Sequence, residues 1–298
     1  MRWTREHTPN PQRERLYRQA LLVTGLGNLT LAVVKAIAAA MTGSAALYSD
    51  AANSISDVLY SVMMVLGLWV AQRPPDISHP QGHSRFEPLV GVVVSFSMTF
   101  AGYEAARTGI QRFIEGGSSV TLGLPALVLF FAMLVKTGMY SFINRSAKQL
   151  NSPTLATTAK DNLSDVLTSL AAFFGILGSQ YLSPLTDPIA GVLVAVWIFR
   201  QAFMALRENL DFLTGAGASQ DLREEIVRRA ESVPGVLRVH HLLTEYVGPT
   251  LVVDLHVNVV GTTDLITVHD ISEEVARQVE DLAEVDRAYV HIEPDDLE

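Results

Sequence analysis

Six long apolar runs dominate this sequence and constrain its fold more than any other feature. Each run is long enough to cross a bilayer as a helix, which takes about 20 residues. Irregular backbone in contact with lipid would leave its polar groups unpaired, so helices are the predicted conformation. The predicted spans are 20–42, 45–71, 88–113, 122–143, 156–180 and 188–206. The sequence therefore predicts an all-α, six-helix transmembrane domain.

The distribution of charge divides the chain into parts. Only 18% of the residues are charged, and these are sparse from 19 to 206 and dense afterwards. Beyond 206 the pattern predicts the order α-β-β-α-β, with a turn at Gly248–Pro249. This order suits a small α+β, ferredoxin-like domain with both helices on one face of a sheet. We expect a tail at 1–15, the transmembrane domain at 16–208 and a soluble domain at 209–298.

Basic residues predict the orientation in the membrane. They are concentrated in the tail and in two loops: Arg2, Arg5, Arg13, Arg15, Arg18, Arg73, Arg85, Arg145 and Lys148. The positive-inside rule then places both termini in the cytoplasm, with the chain in the inner membrane, and we expect no signal peptide. The chain has no cysteine, which excludes disulfides and thiolate metal sites. A net charge of −9 gives no indication of a nucleic-acid-binding face.

Oxygen-bearing side chains interrupt the second and fifth predicted spans. Asn53 and Asp57 are four residues apart, and so are Asp161 and Asp165, so each pair lies on one helix face. An ionised aspartate at mid-bilayer costs about 2.5–3.5 kcal/mol. Three such groups therefore predict a bound cation, or protons.

The alternative is that buried bases neutralise these carboxylates. The bases available for such pairing are Lys35, Lys136, Lys160 and Arg200. We take Asp50 with Lys35 as the candidate pair, and we expect Glu104 and Arg107 to neutralise each other across one helical turn. Two matched pairs of oxygen ligands are harder to explain as ion pairs, because ionisable residues inside membranes usually mark function.

Four segments resemble the cation diffusion facilitator family over nearly the whole chain: "SDAANSISD", "HPQGHSRFE", "AKDNLSDVLTS" and "LTDPIAG". The resemblance implies a proton-coupled exporter of divalent metal ions that works as a homodimer. It also implies that 209–298 is a cytoplasmic metal-sensing and dimerisation domain. By the same resemblance, Asn53, Asp57, Asp161 and Asp165 would form a tetrahedral transport site.

The predicted transport site departs from the family's common zinc pattern because it contains no histidine. Carboxylate and carbonyl oxygens suit manganese, whereas imidazole suits zinc. The four residues also resemble the manganese-exporting bacterial branch, so Mn²⁺ is the expected substrate, and Zn²⁺ and Fe²⁺ stay open. With no histidine to carry the coupling proton, we expect Asp161 and Asp165 to share that role.

Two further groups match positions where family members bind metal. Asp76, His79 and His83 lie in a predicted cytoplasmic loop, where the alternative is that they only hydrogen-bond across it. The residues in the soluble domain are His240, His256, His269, His291 and Glu293, and a metal bound there would draw two domains together. Histidines on the surface of a sheet more often have no metal ligand, so this site stays open.

Three classes of membrane protein fit buried carboxylates. A channel would pass ions without proton counterflow, and an intramembrane metalloenzyme would need a catalytic pattern such as His-Glu-x-x-His, which the sequence lacks. The sequence also lacks a Walker lysine loop, which argues against ATP drive. We therefore expect a secondary transporter, not an enzyme, with no permanently bound cofactor.

Overall fold

The computed structural model describes residues 10–42, 45–116 and 124–295, without the side chains of some helical residues among them. The chain divides into two compact units, Met1–Leu210 and Asp211–Glu298. The first unit is built from long helices. They are α1 Pro11–Thr42, α2 Ala45–Ala71, α3 Phe86–Ile114, α4 Leu124–Leu150, α5 Pro153–Tyr181 and α6 Thr186–Leu213, the last of which continues past the division.

Three stretches among the described residues are long and apolar enough to cross a membrane: Pro11–Ala38, Phe86–Ile114 and Pro188–Leu213. They belong to α1, α3 and α6. The other predicted spans fall on α2, α4 and α5, where the structure describes only part of the side chains. The transmembrane domain is therefore helical, and six spans stay a prediction.

Helix α1 begins inside the segment that was predicted to be a tail. The Asn10 side chain accepts the backbone N–H groups of Gln12 and Arg13, each at 3.1 Å, and Pro11 occupies the first helical position. Asparagine as the cap and proline at the first position are both favoured at helix starts. The helix therefore runs through the basic residues, and among the described residues only Asn10 precedes it.

Apolar side chains from α1, α2, α4 and α5 form the core of the helical unit. It contains Tyr17, Met64, Leu68, Met139, Ile143, Ala147, Leu150 and Leu155. Many apolar side chains point outward instead, and Leu26, Trp69 and Phe203 are all more than half exposed. Such outward apolar faces suit contact with lipid.

The second unit has the predicted order α-β-β-α-β. Its elements are α7 Gln220–Glu231, β1 Arg238–Val247, β2 Thr250–Val259, α8 Leu265–Glu280 and β3 Val285–Pro294. The sheet order is β1-β2-β3, with β1 antiparallel to β2 and β2 parallel to β3. Gly248 has the positive φ of 66° that a tight turn between β1 and β2 requires.

Alternation along β2 separates a core face from a polar face. Leu251, Val253, Leu255 and Val257 are fully buried, and they pack with apolar residues of both α7 and α8. Both helices therefore cover one face of the sheet, as predicted. His256 belongs to the alternate set and faces the other side.

Candidate metal sites

Three aspartates of the helical unit face one buried lysine. Lys136 of α4 is 4% exposed. Its Nζ lies 2.6 Å from Asp165 Oδ2 and 3.2 Å from Asp57 Oδ2, so it bridges α2 and α5. Asp161 lies one turn before Asp165 and also interacts electrostatically with Lys136 and Asp57. The structure thus brings together Asp57, Asp161 and Asp165 with a cation that belongs to the protein.

From the sequence alone, Lys136 is one of several bases available to neutralise the aspartates. The sequence of α4 does not indicate which residues Lys136 contacts, because contacts between helices depend on how the helices pack. Lys160 lies beside Asp161 in the sequence but pairs with Glu208 of α6 instead. Lys35 of α1 is buried and interacts electrostatically with Asp165. The side chains of Asn53 and Asp50 lie outside the part of the chain that the structure describes, so the fourth ligand and the Asp50–Lys35 pair stay predictions.

A hydrogen bond between α1 and α2 holds the turn that carries Asp57. Asn28 Nδ2 donates to Ser61 Oγ at 2.8 Å, and that hydroxyl donates to the backbone carbonyl of Asp57 at 2.8 Å. Both side chains are buried. Helix α1 therefore fixes the position of the turn of α2 from Asp57 to Ser61.

Glu87 fixes the beginning of α5, the helix that carries the other two aspartates. The Glu87 carboxylate accepts the Tyr17 hydroxyl at 2.8 Å and the Ser152 hydroxyl, and Thr154 donates to its backbone carbonyl. Ser152 also caps α5 by accepting the N–H of Leu155. The carboxylate is almost fully buried, so α1, α3 and α5 share one fixed polar contact.

The loop between α2 and α3 gathers its three predicted ligands. Asp76 Oδ1 lies 3.6 Å from His79 Nδ1, Asp76 Oδ2 lies 3.4 Å from His83 Nε2, and the two imidazole rings are 4.5 Å apart. The backbone N–H of His79 donates to Asp76 at 2.7 Å and holds the pKa of that carboxyl below its usual range. His83 is buried, and its Nδ1 has no hydrogen-bond partner. One carboxylate and two imidazoles form a donor set that suits zinc and similar metals.

A second histidine group lies on the polar face of the sheet in the other unit. Glu293 lies 2.9 Å from His256 Nδ1, 3.4 Å from His240 Nε2 and 3.5 Å from His291 Nε2. Strand pairing aligns His256 with His291, and their rings are 4.8 Å apart. A β-bulge between Val239 and His241 interrupts the register of β1, and both His240 and His241 contact His256. The family resemblance implied His240 and not His241, whereas the bulge brings both rings to His256.

His269 does not join this group within one chain. It is exposed on α8, which packs against the apolar face of the sheet, whereas His256 is on the polar face. Its predicted part in a metal site would require a second chain, and it stays a prediction.

The predicted transport site, the loop group and the sheet group differ in how close their ligand atoms lie to one another. In the described part of the chain, two groups have all their ligand atoms within 4.8 Å of one another: Asp76, His79, His83, and His240, His256, Glu293. Asp57, Asp161 and Asp165 do not form such a group among the described residues, and the Lys136 ammonium contacts two of them. Whether any of the three places binds metal stays a prediction.

A helical unit with carboxylates on two helices, followed by a small α+β domain, suits a transporter of cations. Comparison with known families identifies which one. The chain matches the cation efflux transmembrane domain over residues 21–214 and the cytoplasmic domain of cation efflux proteins over 218–295. The protein belongs to the cation efflux family, whose members transport divalent metal ions.

Two relatives cover nearly the whole chain. An uncharacterised transporter of Methanocaldococcus jannaschii is 34% identical over 92% of this chain and 96% of its own. The manganese efflux system protein MneS of Bacillus subtilis is 28% identical over 92% of this chain and 94% of its own. Among solved structures, a histidine-to-alanine variant of the C-terminal domain of MamM is 28% identical, covering 26% of this chain and 98% of that one, with a TM-score of 0.25.

Proposed function

We propose that the protein exports Mn²⁺ from the cytoplasm in exchange for protons. The observation that supports the proposal is that Asp57 of α2 and Asp165 of α5 contact the same buried ammonium, with Asp161 one turn before Asp165. Asn53 completes the proposed site, one turn before Asp57. Ionisable groups inside a membrane are rare and usually mark an ion pathway.

The substrate is inferred from the chemistry of these ligands. All four offer oxygen, which suits Mn²⁺ better than it suits zinc. The relative MneS is a manganese efflux protein, which supports the same substrate. Zn²⁺ or Fe²⁺ is the second candidate, because a site made only of oxygen ligands can still bind these ions.

The proposed cycle is alternating access. Mn²⁺ enters from the cytoplasm and binds at α2 and α5, and protons taken up by Asp161 and Asp165 displace it outward. Both termini face the cytoplasm, and the protein acts as a homodimer in the inner membrane. The match to the cytoplasmic domain of cation efflux proteins supports the dimer and the placement of the C-terminus.

Everted membrane vesicles test the coupling. We expect a proton gradient to drive Mn²⁺ uptake by the unaltered protein and to lose its effect in Asp161→Asn. Glu104→Gln serves as the control, because Glu104 pairs with Arg107 at 3.2 Å on the outside of α3, as predicted from the sequence. Full proton coupling in Asp161→Asn would refute the assignment, and flux without proton counterflow would indicate a channel.

Growth of cells that lack their own exporters tests the choice of metal. Cells carrying the protein should tolerate added Mn²⁺ better than cells carrying Asp57→Asn. Protection against Zn²⁺ or Fe²⁺ alone would show that one of these ions, and not Mn²⁺, is the substrate.

A further inference from the structure

The ammonium of Lys136 occupies the space between the two helices that the proposed cycle assigns to the metal. It contacts carboxylate oxygens of Asp57 on α2 and Asp165 on α5 at 3.2 and 2.6 Å. The same two carboxylates would have to turn toward a bound ion. Lys136 is buried, so the ammonium has no access to bulk water in this arrangement.

We propose that Lys136 is a tethered cation that competes with the transported metal for Asp57 and Asp165, an inference that rests on the proposed transport site. A divalent ion and an ammonium repel each other strongly at such short range in a medium of low dielectric constant. Metal entry therefore moves the ammonium away from one carboxylate or both. Metal exit lets it return, so the empty site is not left as a group of unpaired charges.

The alternative is that Lys136 only holds α2, α4 and α5 together. The packing of α4 argues against this, because Met139, Ile143 and Ala147 follow Lys136 along the helix and are buried in the core with residues of α1, α2 and α5. These apolar contacts position α4 without the ammonium. The lysine side chain is also unbranched and flexible, and so can withdraw from its partners while the helix stays in place.

Lys160 shows what a lysine outside the site looks like. It precedes Asp161 directly on α5, yet its ammonium pairs with Glu208 of α6, and its side chain is more exposed than that of Lys136. A substitution at Lys160 removes one lysine near the aspartates and leaves the Lys136 ammonium in place. Lys160→Met is therefore a matched control.

A resident competitor has two kinetic consequences. It weakens metal binding, because part of the binding free energy is spent on displacing the ammonium. It also speeds release, since the ammonium takes the metal's place on the carboxylates. Both effects favour turnover over tight binding, and both should disappear when the charge is removed.

The test measures Mn²⁺ uptake into proteoliposomes by the full-length protein and by Lys136→Met, Lys136→Gln and Lys136→Arg. We expect Met and Gln to lower KM about tenfold and to lower kcat as well. Arg keeps the charge and should keep a high KM. Lys160→Met should leave both constants unchanged.

A KM that stays constant or rises in both Lys136→Met and Lys136→Gln would overturn the proposal. Failure of both variants to fold, judged by gel filtration in detergent, would also overturn it, because Lys136 would then be a structural strut. Asp57→Asn distinguishes this outcome from failure of the proposed function. If Asp57→Asn abolishes uptake but the Lys136 variants do not lower KM, only the competition is wrong. If Asp57→Asn transports normally, the transport site itself is wrong.

Discussion

At the scale of single residues, the most constrained carboxylate is Glu87. It is buried, and its two oxygens accept hydroxyl groups from α1 and from the start of α5. Buried polar groups are inexpensive when paired and costly when a partner is removed. The Glu87 side chain thus fixes the position of the first turn of α5, the helix that carries Asp161 and Asp165.

Replacing Glu87 should destabilise the helical unit. Glu87→Ala leaves the Tyr17 hydroxyl buried without an acceptor and deprives Ser152 of one, at a cost of about 3 kcal/mol. Thermal unfolding in detergent should show a melting temperature several degrees lower. Glu104→Ala on the same helix removes an exposed pair and should change it little. Equal melting temperatures for the two variants would contradict the role given to Glu87.

Three residues also show what the sequence could and could not reveal at this scale. Asn10 and Pro11 carried a start signal for α1, and the basic residues after them concealed it. Lys136 carried no such signal, because its partners lie on other helices. Local chemistry can be read along the chain, whereas pairing between helices is settled by packing.

At the scale of helices, the contact between α3 and α6 depends on the absence of a side chain at Gly91. A Cβ there would lie 1.8 Å from Asn209 Oδ1. Asn209 cannot easily move away, because its Nδ2 donates to Thr157 of α5 at 2.7 Å and to a carbonyl of α6. One glycine therefore lets α3, α5 and α6 meet around a buried amide.

Adding a methyl group at this position should separate the helices. Gly91→Ala is expected to cost about 2 kcal/mol through overpacking and loss of the Asn209 hydrogen bonds. Gly138→Ala on α4 is the control, because a Cβ there meets nothing within 4 Å and alanine favours helix. Unfolding in detergent should rank Gly91→Ala below the unaltered protein and Gly138→Ala level with it or above. A stable Gly91→Ala would mean that α3 and α6 are not in close contact.

At the scale of the whole molecule, both units carry predicted metal groups, and the group among the helices differs in chemistry from the group on the sheet. The membrane unit offers oxygen ligands facing a lysine, and the sheet of the soluble domain offers imidazoles around Glu293. A transporter of manganese that senses metal through histidines would respond to different ions in its two units. This separation is testable because the histidines can be replaced without touching the aspartates.

Loss of the sheet group should abolish any response of the dimer to metal. Small-angle scattering of the protein in detergent should detect compaction when Zn²⁺ or Mn²⁺ is added, and His256→Ala should remove it, since His256 contacts three other histidines and Glu293. His269→Ala should keep the response if the group works within one chain. Compaction that persists in His256→Ala would exclude regulation through this group.

Much of the architecture was predictable because it follows from local patterns. The α-β-β-α-β order, the Gly248–Pro249 turn and the buried face of β2 were all read from alternation and turn residues. Asp76, His79 and His83 were also predictable, because a short loop keeps residues close in sequence close in space. The place of His241 was not, since a bulge shifted its register.

The central claim is that Asp57, Asp161 and Asp165 carry the transported ion, and one measurement tests it most directly. Proteoliposomes that record internal Mn²⁺ and pH together should show Mn²⁺ uptake with matching proton release for the unaltered protein. Both signals should vanish in the double variant Asp57→Asn, Asp165→Asn, reconstituted in equal amount. Uptake at the unaltered rate in that variant would show that the ion crosses elsewhere.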